Sequence, residues 1–580
     1  MNVQVVLQEG LDHHRAGRMA DAARCYKRVL EADPGNADAL NLMSALALVA
    51  GDPRAAAALA LGAISAQPGW AAPHVSLGNA LQAAGRADQA VDAFQKAIAL
   101  APETAEAYVN LASALNDLGR FGDAVKMAVE AIVIDSSLAE AHNIFGNALV
   151  GLGSPEEAVE AYQKAVYLRP EWDAPWFNIG VALAAQGKHD EAAAVYGRSI
   201  RLADGAAKHY NLGNSLAALG RLAEAEAEYR AALAVDPGYT DASNNLSVML
   251  KDQERLEEAA ALLEQALAHT PDSADLHWNL ALARLMAGDW RRGWQEYEWR
   301  WRMPTFRAFT RDFGCPVWDG GDPAGKTVLV SAEQGFGDAI EFCRFVPALA
   351  ARGAVVTLEC RQGLKRLFGT LDGVARVVSP GEPYGGFDLT VPLMSLPHRL
   401  GLDLADLPAR LPYLAVPAAA GDFSDVAALP GRKVGLVWAG GDSRRDNARR
   451  SCRATDLLAL QEVPGCRFFS LQVGPAATQA TDLPGVIDLS PRLGDFADTA
   501  AALAALDLVI AVDTAVVHLA GALGKPVWVL LSRPSNGFLW MCGRGDSPWY
   551  PRVARLWRQP AADDWQGLVR RVRDALAAGE

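Results

Sequence analysis

Six prolines, at positions 34, 68, 102, 170, 237 and 271, punctuate the first half of this chain at a 34-residue spacing. The spacing slips once, where the segment ending at Gly205 has 33 residues. Each proline follows an acidic or polar stop after a helix-period run, and the next unit opens with an A-x-A-like turn into a helix. A fixed repeat of this length constrains the fold more than any other feature. One unit is too short to bury its apolar face and must stack on its neighbours. Nine units fit, opening near residues 4, 37, 71, 105, 139, 173, 206, 240 and 274. In the third, Leu77, Gly78, Ala80 and Leu81 form one packing face, Gly85 turns the chain, and Ala90, Phe94 and Ala97 face back from a second helix.

This period and interior resemble tetratricopeptide repeat (TPR) helix pairs, which stack into a superhelix and commonly serve as a receptor surface for another polypeptide. The ninth unit departs from the pattern. Trp290, Trp294, Tyr297 and Trp301 recur at helical spacing on one face, which reads as a capping helix glued to the next domain. The residues from 1 to 306 are therefore assigned to the solenoid, and a Pro/Gly-rich stretch, 307–325, to a connector.

Beyond the connector the period changes. Strand-like runs (Thr327–Glu333, Val355–Cys360, Arg376–Ser379, Lys433–Ala439, Arg467–Val473, Asp507–Asp513, Pro526–Ser532) alternate with helical segments, as in parallel sheets built of βαβ units. A linker, Val416–Gly431, divides this half into lobes at 326–418 and 431–580. Two Rossmann-like, doubly wound lobes place a cleft at the carboxyl ends of their strands. The last helix, with Trp565, Leu568, Val569, Val572 and Leu576 on one stripe, is expected to pack across both lobes.

Composition narrows the function. With 54 basic and 68 acidic residues the net charge is −14, which argues against non-specific nucleic-acid binding. The first residues lack the charged n-region and long apolar run of a signal peptide. The most apolar later stretch, Leu506–Leu531, is broken by Asp507, Asp513, His518 and Lys525, so no membrane span is expected. Seven scattered cysteines with no C-x-x-C pair read as reduced thiols of a cytoplasmic protein.

Four segments bear on chemistry. Gly320–Thr327 matches the phosphate-loop pattern G-x-x-x-x-G-K-[ST], but it follows an irregular linker and enters a strand, the inverse of the required context. Glu333-Gln-Gly335-Phe-Gly337-Asp338 lies between a strand and a helix, its glycines suited to a tight turn. The carboxylate of Asp338 there is either an N-cap or a general base for a hydroxyl acceptor. Leu508–Asp513 is a buried strand running into a helix at Ala515, so Thr514, Ala515 and Val516 offer free N–H groups to a diphosphate, with His518 one turn on. Asn447-Ala-Arg449-Arg450-Ser451 follows another strand end and either binds phosphate or is a solvated basic loop.

Taken together, Val-Ser-Ala-Glu-Gln-Gly-Phe-Gly-Asp-Ala-Ile-Glu-Phe, Phe387-Asp388 with Ser395-Leu-Pro397, Ser470-Leu-Gln472, and the run from Asp507 through Asp-Thr-Ala-Val-Val-His-Leu-Ala-Gly-Ala-Leu-Gly-Lys-Pro to Trp528 carry a resemblance. Gly293–Trp301 and Asp546–Pro551 belong to it as well. The chain resembles bacterial TPR proteins with a heptosyltransferase-like, GT-B glycosyltransferase domain, and within them flagellin-modifying TPR glycosyltransferases. That resemblance implies that the 326–418 lobe is the acceptor side and the 431–580 lobe the nucleotide-sugar side, with Asp338 as the base. It also implies a donor-binding set of Gly335, Gly337, Arg450, Ser451, Gln472, Asp513, Thr514, Ala515, Val516 and His518. Relatives often carry a lysine after S-L-Q, where this chain has Val473. No D-x-D occurs in the catalytic half, in keeping with a metal-independent enzyme that has no cofactor beyond its nucleotide-sugar substrate.

Asn110, Asn178, Asn211, Asn245 and Asn279 hold one position in the first helices of their units. The ladder resembles the asparagines of eukaryotic protein O-GlcNAc transferase that grip an extended peptide, a task suited to a side chain with both donor and acceptor. The alternative is that Asn is merely a tolerated residue of TPR helices. The expectation is a protein O-glycosyltransferase acting on Ser/Thr of a TPR-bound protein, flagellin foremost. A surface-polysaccharide glycosyltransferase is the rival enzyme, and a TPR scaffold with a decayed nucleotide-sugar module is the non-enzyme reading.

Overall fold

The computed structural model describes residues 2–383, 385–408, 410–441, 447–534 and 537–579. The chain divides into two compact units, Met1–Ala242 and Ser243–Glu580.

Helix pairs open at Val3, Ala37, Ala71, Ala105, Ala139, Asp173, Ala206, Thr240 and Ala274, as the 34-residue period requires. Two glycine positions recur among the pairs. At the turn between helices, Gly17, Gly51, Gly85, Gly119, Gly153, Gly187 and Gly220 all have φ between 70° and 80°, the left-handed region that a Cβ disfavours. In the first helix, a Cβ on Gly78 would come within 2.4 Å of the Phe94 ring, and one on Gly146 or Gly180 within 2.5 Å of Tyr162 or Tyr196. The glycine is thus a socket for the aromatic ring of the second helix. In the first unit, neighbouring helices pack consecutively and the first helices of adjacent repeats also meet, which places those first helices on the inner side of the stack.

The second unit contains the last two repeats together with the whole α/β half. The expected boundary at 306/307 therefore lies inside a compact unit. The reason is the aromatic helix α1 (Trp290–Tyr297), whose Trp290, Trp294 and Tyr297 are buried in one continuous core with Val328, Phe342 and Trp549. Trp294 meets Phe342 edge-to-face at 5.4 Å, and Trp290 meets Trp549 at 4.7 Å. Helix α1 gives way to a 3-10 turn at Glu298, so Trp301 does not continue its stripe.

All strand pairs of the α/β half are parallel. The first sheet has the order β3-β2-β1-β4, with β1 (Thr327–Ser331), β2 (Val355–Glu359), β3 (Val374–Val378) and β4 (Leu389–Pro392). The second has the order β10-β9-β8-β5-β6-β7, with β5 (Arg432–Val437), β6 (Cys466–Ser470), β7 (Ile487–Asp488), β8 (Leu508–Val512), β9 (Val527–Leu531) and β10 (Ala554–Arg558). Every residue of β8 and β9 is buried, as expected of strands covered on both faces. Strand order reverses beside β1 in the first sheet and between β5 and β8 in the second, and these switch points are where ligands bind in open parallel sheets.

The short strands β4, β7 and β10 were not expected from the sequence. Gly320–Thr327 is irregular up to Thr327, whose N–H and hydroxyl both donate to Asp388 at 2.8 Å, so neither residue serves a phosphate loop. The last helix, α4 (Trp565–Ala577), does not cross the lobes. Its apolar stripe is buried with Val434, Leu457, Leu508 and Trp557 of the second lobe alone. Among the described residues, no helix is long and apolar enough to cross a membrane.

Candidate functional site

Between β1 and helix α2 (Phe336–Phe342) the chain runs through Glu333, Gln334 and Gly335. Gly335 is the N-cap, and Asp338 Oδ2 accepts its N–H at 3.0 Å, so the carboxylate does cap the helix. The glycines are not there for tight turning, since neither has a positive φ. They permit close approach instead. A Cβ on Gly335 would lie 2.9 Å from Asp338 Oδ2, and one on Gly337 would lie 3.1 Å from His518 and 3.5 Å from the Ala515 backbone. Gly337 is thus one of the places where the first lobe touches the second.

On the far side, β8 delivers Asp513 and then Thr514, the extended N-cap of helix α3 (Ala515–Ala522). The Thr514 hydroxyl makes no capping bond, and its oxygen is buried without a partner among the described residues. The N–H groups of Ala515 and Val516 stand in the first turn, where backbone donors and the helix dipole favour an anion. His518 is 4 % exposed, stacked on Trp540 at 5.2 Å. Its Nε2 lies 3.9 Å from Asp513 Oδ1, and its Nδ1 lies 3.1 Å from the Tyr550 hydroxyl and 3.2 Å from Glu341 Oε2.

The loop after β5 supplies the cation. Arg450 Nη1 reaches Asp513 Oδ2 at 3.4 Å, while its Nε is buried without a partner among the described residues. Ser451 links the residues on either side of this segment, its hydroxyl accepting from Gly440 N–H at 3.1 Å and donating to Asn447 Oδ1 at 3.1 Å. Gln472 spends its whole amide on main chain. Its oxygen accepts from the N–H groups of Trp438 and Ala439, and its nitrogen donates to the carbonyls of Ala439 and Val473. Gln472 therefore shapes the strand end and has no donor or acceptor left for a ligand. Val473 is half-exposed and offers no charge.

The structure thus brings Asp338, Gly335, Gly337, Asp513, Thr514, Ala515, Val516, His518 and Arg450 to one place, each following a strand at a switch point. The sequence reading missed Glu341 and Tyr550. Glu341 is one turn beyond Asp338 and fully buried; burial pushes its carboxyl well above the ordinary range, Asp338 and Asp513 add to the rise, and Arg344 opposes it. The D-A-I-E spacing was visible, but the histidine it meets comes from the other lobe.

The asparagine positions are all partly buried. Asn178 Nδ2 donates to Asn143 Oδ1 at 3.0 Å and to Asn147 Oδ1 at 3.2 Å, Asn279 donates to Asn244, and Ser76 donates to Asn41 at 2.8 Å. These bonds tie the three first helices that carry Ser76, Asn178 and Asn279 to the preceding repeats. Asn211 Nδ2 instead donates to Ala207 O within its own helix at 2.8 Å. Asn110 stands half-buried at the same place, and Asn245 is likewise partly buried.

Comparisons with known proteins agree with this architecture. Residues 7–71, 75–139, 145–207 and 206–239 match families described as tetratricopeptide repeat, and 249–288 match one described as TPR repeat. Residues 476–552 match Glycosyltransferase family 9 (heptosyltransferase). That last segment contains Asp513, Thr514, His518 and Tyr550, whereas Asp338, Glu341 and Arg450 lie outside it. The chain is similar to Protein FlbA of Caulobacter vibrioides (strain ATCC 19089 / CIP 103742 / CB 15), 28% identical over 380 residues, which are 60% of this chain and 62% of that protein. The chain thus spans under two thirds of that relative's length. Among solved structures it is similar to MamA protein (27% identity, TM-score 0.26, 29% of this chain and 92% of that one). It is also similar to YrrB, a TPR protein with an unusual peptide-binding site (24% identity, TM-score 0.27, 32% and 95%). The chain joins TPR repeats to a heptosyltransferase-like glycosyltransferase family 9 domain.

Proposed function

We propose that the chain is a metal-independent, inverting glycosyltransferase of GT-B type that moves a sugar from a nucleotide-activated donor onto Ser/Thr of a protein held by its repeats. The observation that carries this reading is the meeting of Asp338 with the Asp513–His518 turn at the switch points of two parallel sheets. Asp338 engages Gly335 through Oδ2, which leaves Oδ1 to take the proton of an acceptor hydroxyl. The hydroxyl oxygen then bonds to the anomeric carbon as the bond from that carbon to the donor phosphate oxygen breaks. The leaving diphosphate carries the bonding pair away. The N–H groups of Ala515 and Val516, the Thr514 hydroxyl, His518 and Arg450 are the groups assigned to stabilise it. No divalent ion is assigned a part, because fixed N–H dipoles and a guanidinium already oppose the developing charge.

The acceptor is a cytoplasmic protein, with flagellin the first to test on the resemblance set out above. Intact-mass analysis of flagellin from a deletion strain tests it. Loss of a sugar increment that returns with the wild-type gene supports the reading, and unchanged flagellin mass removes this acceptor. One observation favours a surface-polysaccharide transferase instead. Asn178 and Asn279 spend amide donors on neighbouring repeats, as they would if the array served assembly rather than peptide capture.

A further inference from the structure

Glu341 is the least explained charged group in the cleft. Its side chain has 0 % exposure and comes from the first lobe. Apart from the approach to His518, neither carboxylate oxygen has a hydrogen-bond partner among the described residues. A carboxylate buried without donors is costly unless a neighbour shares its proton. That neighbour is His518, across the lobe interface.

The two nitrogens of His518 face different company. Nδ1 looks at Glu341 Oε2 and the Tyr550 hydroxyl, while Nε2 looks at Asp513 and the start of α3. The remaining groups nearby are Asp338 on α2, Arg344 in the next turn, Arg450 on the far side of Asp513, and the Trp540 ring beneath the imidazole. The Tyr550 hydroxyl is fully buried and pushed well above its usual range by that burial, so it keeps its proton. For an imidazole, whatever holds one nitrogen decides what the other offers.

We propose that Glu341 is a positioning residue for His518: it holds Nδ1 and thereby keeps a hydrogen on Nε2, aimed at the first turn of α3. With two protons on the Glu341–His518 pair, both placements give this outcome; with one, Nδ1–H would face an ionised Glu341 and leave Nε2 bare, the result that overturns the proposal. If Glu341 is ionised and both protons sit on the ring, His518 is an imidazolium with N–H on both nitrogens. If Glu341 is protonated, its O–H donates to Nδ1, and the neutral ring carries its hydrogen on Nε2. In either case Nε2 presents a donor to an anion. The use made of that donor rests on the reading of α3 as the diphosphate site.

The test is nitrogen NMR of the full chain labelled with ¹⁵N-histidine, the His518 signal being assigned by its loss in His518→Gln. The wild type should show a protonated Nε2 through the physiological pH range. Tyr550→Phe alone should keep it, because Glu341 still holds Nδ1. Glu341→Gln should keep the Nε2–H tautomer, since its amide can donate to Nδ1. Glu341→Met combined with Tyr550→Phe should populate the Nδ1–H form and weaken inorganic pyrophosphate binding about tenfold, the scale of one lost charge-assisted hydrogen bond. A wild-type ring with bare Nε2 overturns the proposal, and so does a double variant with wild-type tautomer and affinity. Should that double variant not fold, the wild-type and Tyr550→Phe spectra decide. If the tautomers behave as described but pyrophosphate binds no form, the donor assignment of α3 fails and the role of Glu341 stands.

Discussion

The side-chain amide of Gln334 donates a 2.9 Å hydrogen bond to the hydroxyl of Tyr297, tying the loop that carries Asp338 to the last helix of the repeat array. Glu333, beside it, is buried against Arg300, which is itself fully buried and also donates to Ser395 at 2.7 Å and Glu298 at 2.6 Å. The final repeat is therefore packed into the core of the α/β half, and the repeats cannot be cut away at the connector without consequence.

A fragment of residues 307–580 is expected not to fold. It would lose Trp290, Trp294, Tyr297 and Arg300 from the shared core and leave Glu333 buried without its cation. A fragment beginning at Ser243 keeps all of them and is expected to fold. Near-ultraviolet circular dichroism and solubility of the two fragments separate these outcomes. In the full chain, Arg300→Met should cost about 3–5 kcal/mol, the scale for breaking a buried pair from one side. A well-folded 307–580 fragment would show that the aromatic helix is dispensable.

Asp338→Asn is expected to cut transfer by about a hundredfold or more, the scale for removing a general base. Stability should barely change, because the Asn side-chain oxygen can still accept the Gly335 N–H. Single-turnover transfer and a melting curve on the same preparation check both halves. Wild-type transfer by Asp338→Asn would leave the residue as a cap and nothing more.

Glu341→Gln should also reveal itself in stability against pH. The folded-state carboxyl is raised well above its ordinary 4.5, so the folded chain binds more protons than the unfolded one across the intervening window. Wild-type stability must fall as pH rises through that window, while the Gln variant lacks this term. The melting temperature of Glu341→Gln should therefore gain on wild type from acidic toward neutral pH and not the reverse. A gap that stays constant with pH would mean Glu341 is ionised at no cost in the fold.

Much of this was legible in the sequence for physical reasons that also set where legibility ends. Helix pairs are local objects, so the 34-residue period located all nine openings to within a residue. Buried parallel strands such as Leu508–Val512 announce themselves as apolar runs, whereas β4 is four residues ending in proline and β7 is two residues. The α3 turn could be picked out as a candidate because strand, turn and helix are contiguous in the sequence. Glu341 and Tyr550 were not, because each acquires meaning only when the lobes close on His518. Gln472 was assigned to the ligand because no sequence pattern shows that a side-chain amide is already fully bonded to main chain.

Gly146→Ala tests the socket reading of the repeats. Its new Cβ would lie 2.5 Å from the Tyr162 ring, whose hydroxyl is anchored on Asn147 at 2.8 Å, so the ring cannot swing away without losing that bond. Overpacking of this kind costs about 1–3 kcal/mol. Gly122→Ala, with nothing near the added carbon, is the control and should be neutral or slightly stabilising. Thermal melts of both variants decide, and equal melting temperatures would remove the packing argument.

The asparagine ladder separates by partner. Asn178 bonds two residues of the preceding repeat, so Asn178→Ala should lower the stability of the array by about 0.5–1.5 kcal/mol per lost bond. Among the described residues Asn211 bonds its own helix at Ala207, a contact that contributes little to stacking, so Asn211→Ala should leave the melting temperature near wild type. If the inner face grips an extended acceptor, the two replacements should both weaken capture by the full chain. If the ladder serves only to hold the repeats together, Asn211→Ala should leave capture untouched while Asn178→Ala lowers it through stability alone. Capture of flagellin measured at a temperature well below both melting transitions distinguishes these cases. Wild-type capture by Asn211→Ala would move the acceptor off this face and strengthen the assembly role of the repeats.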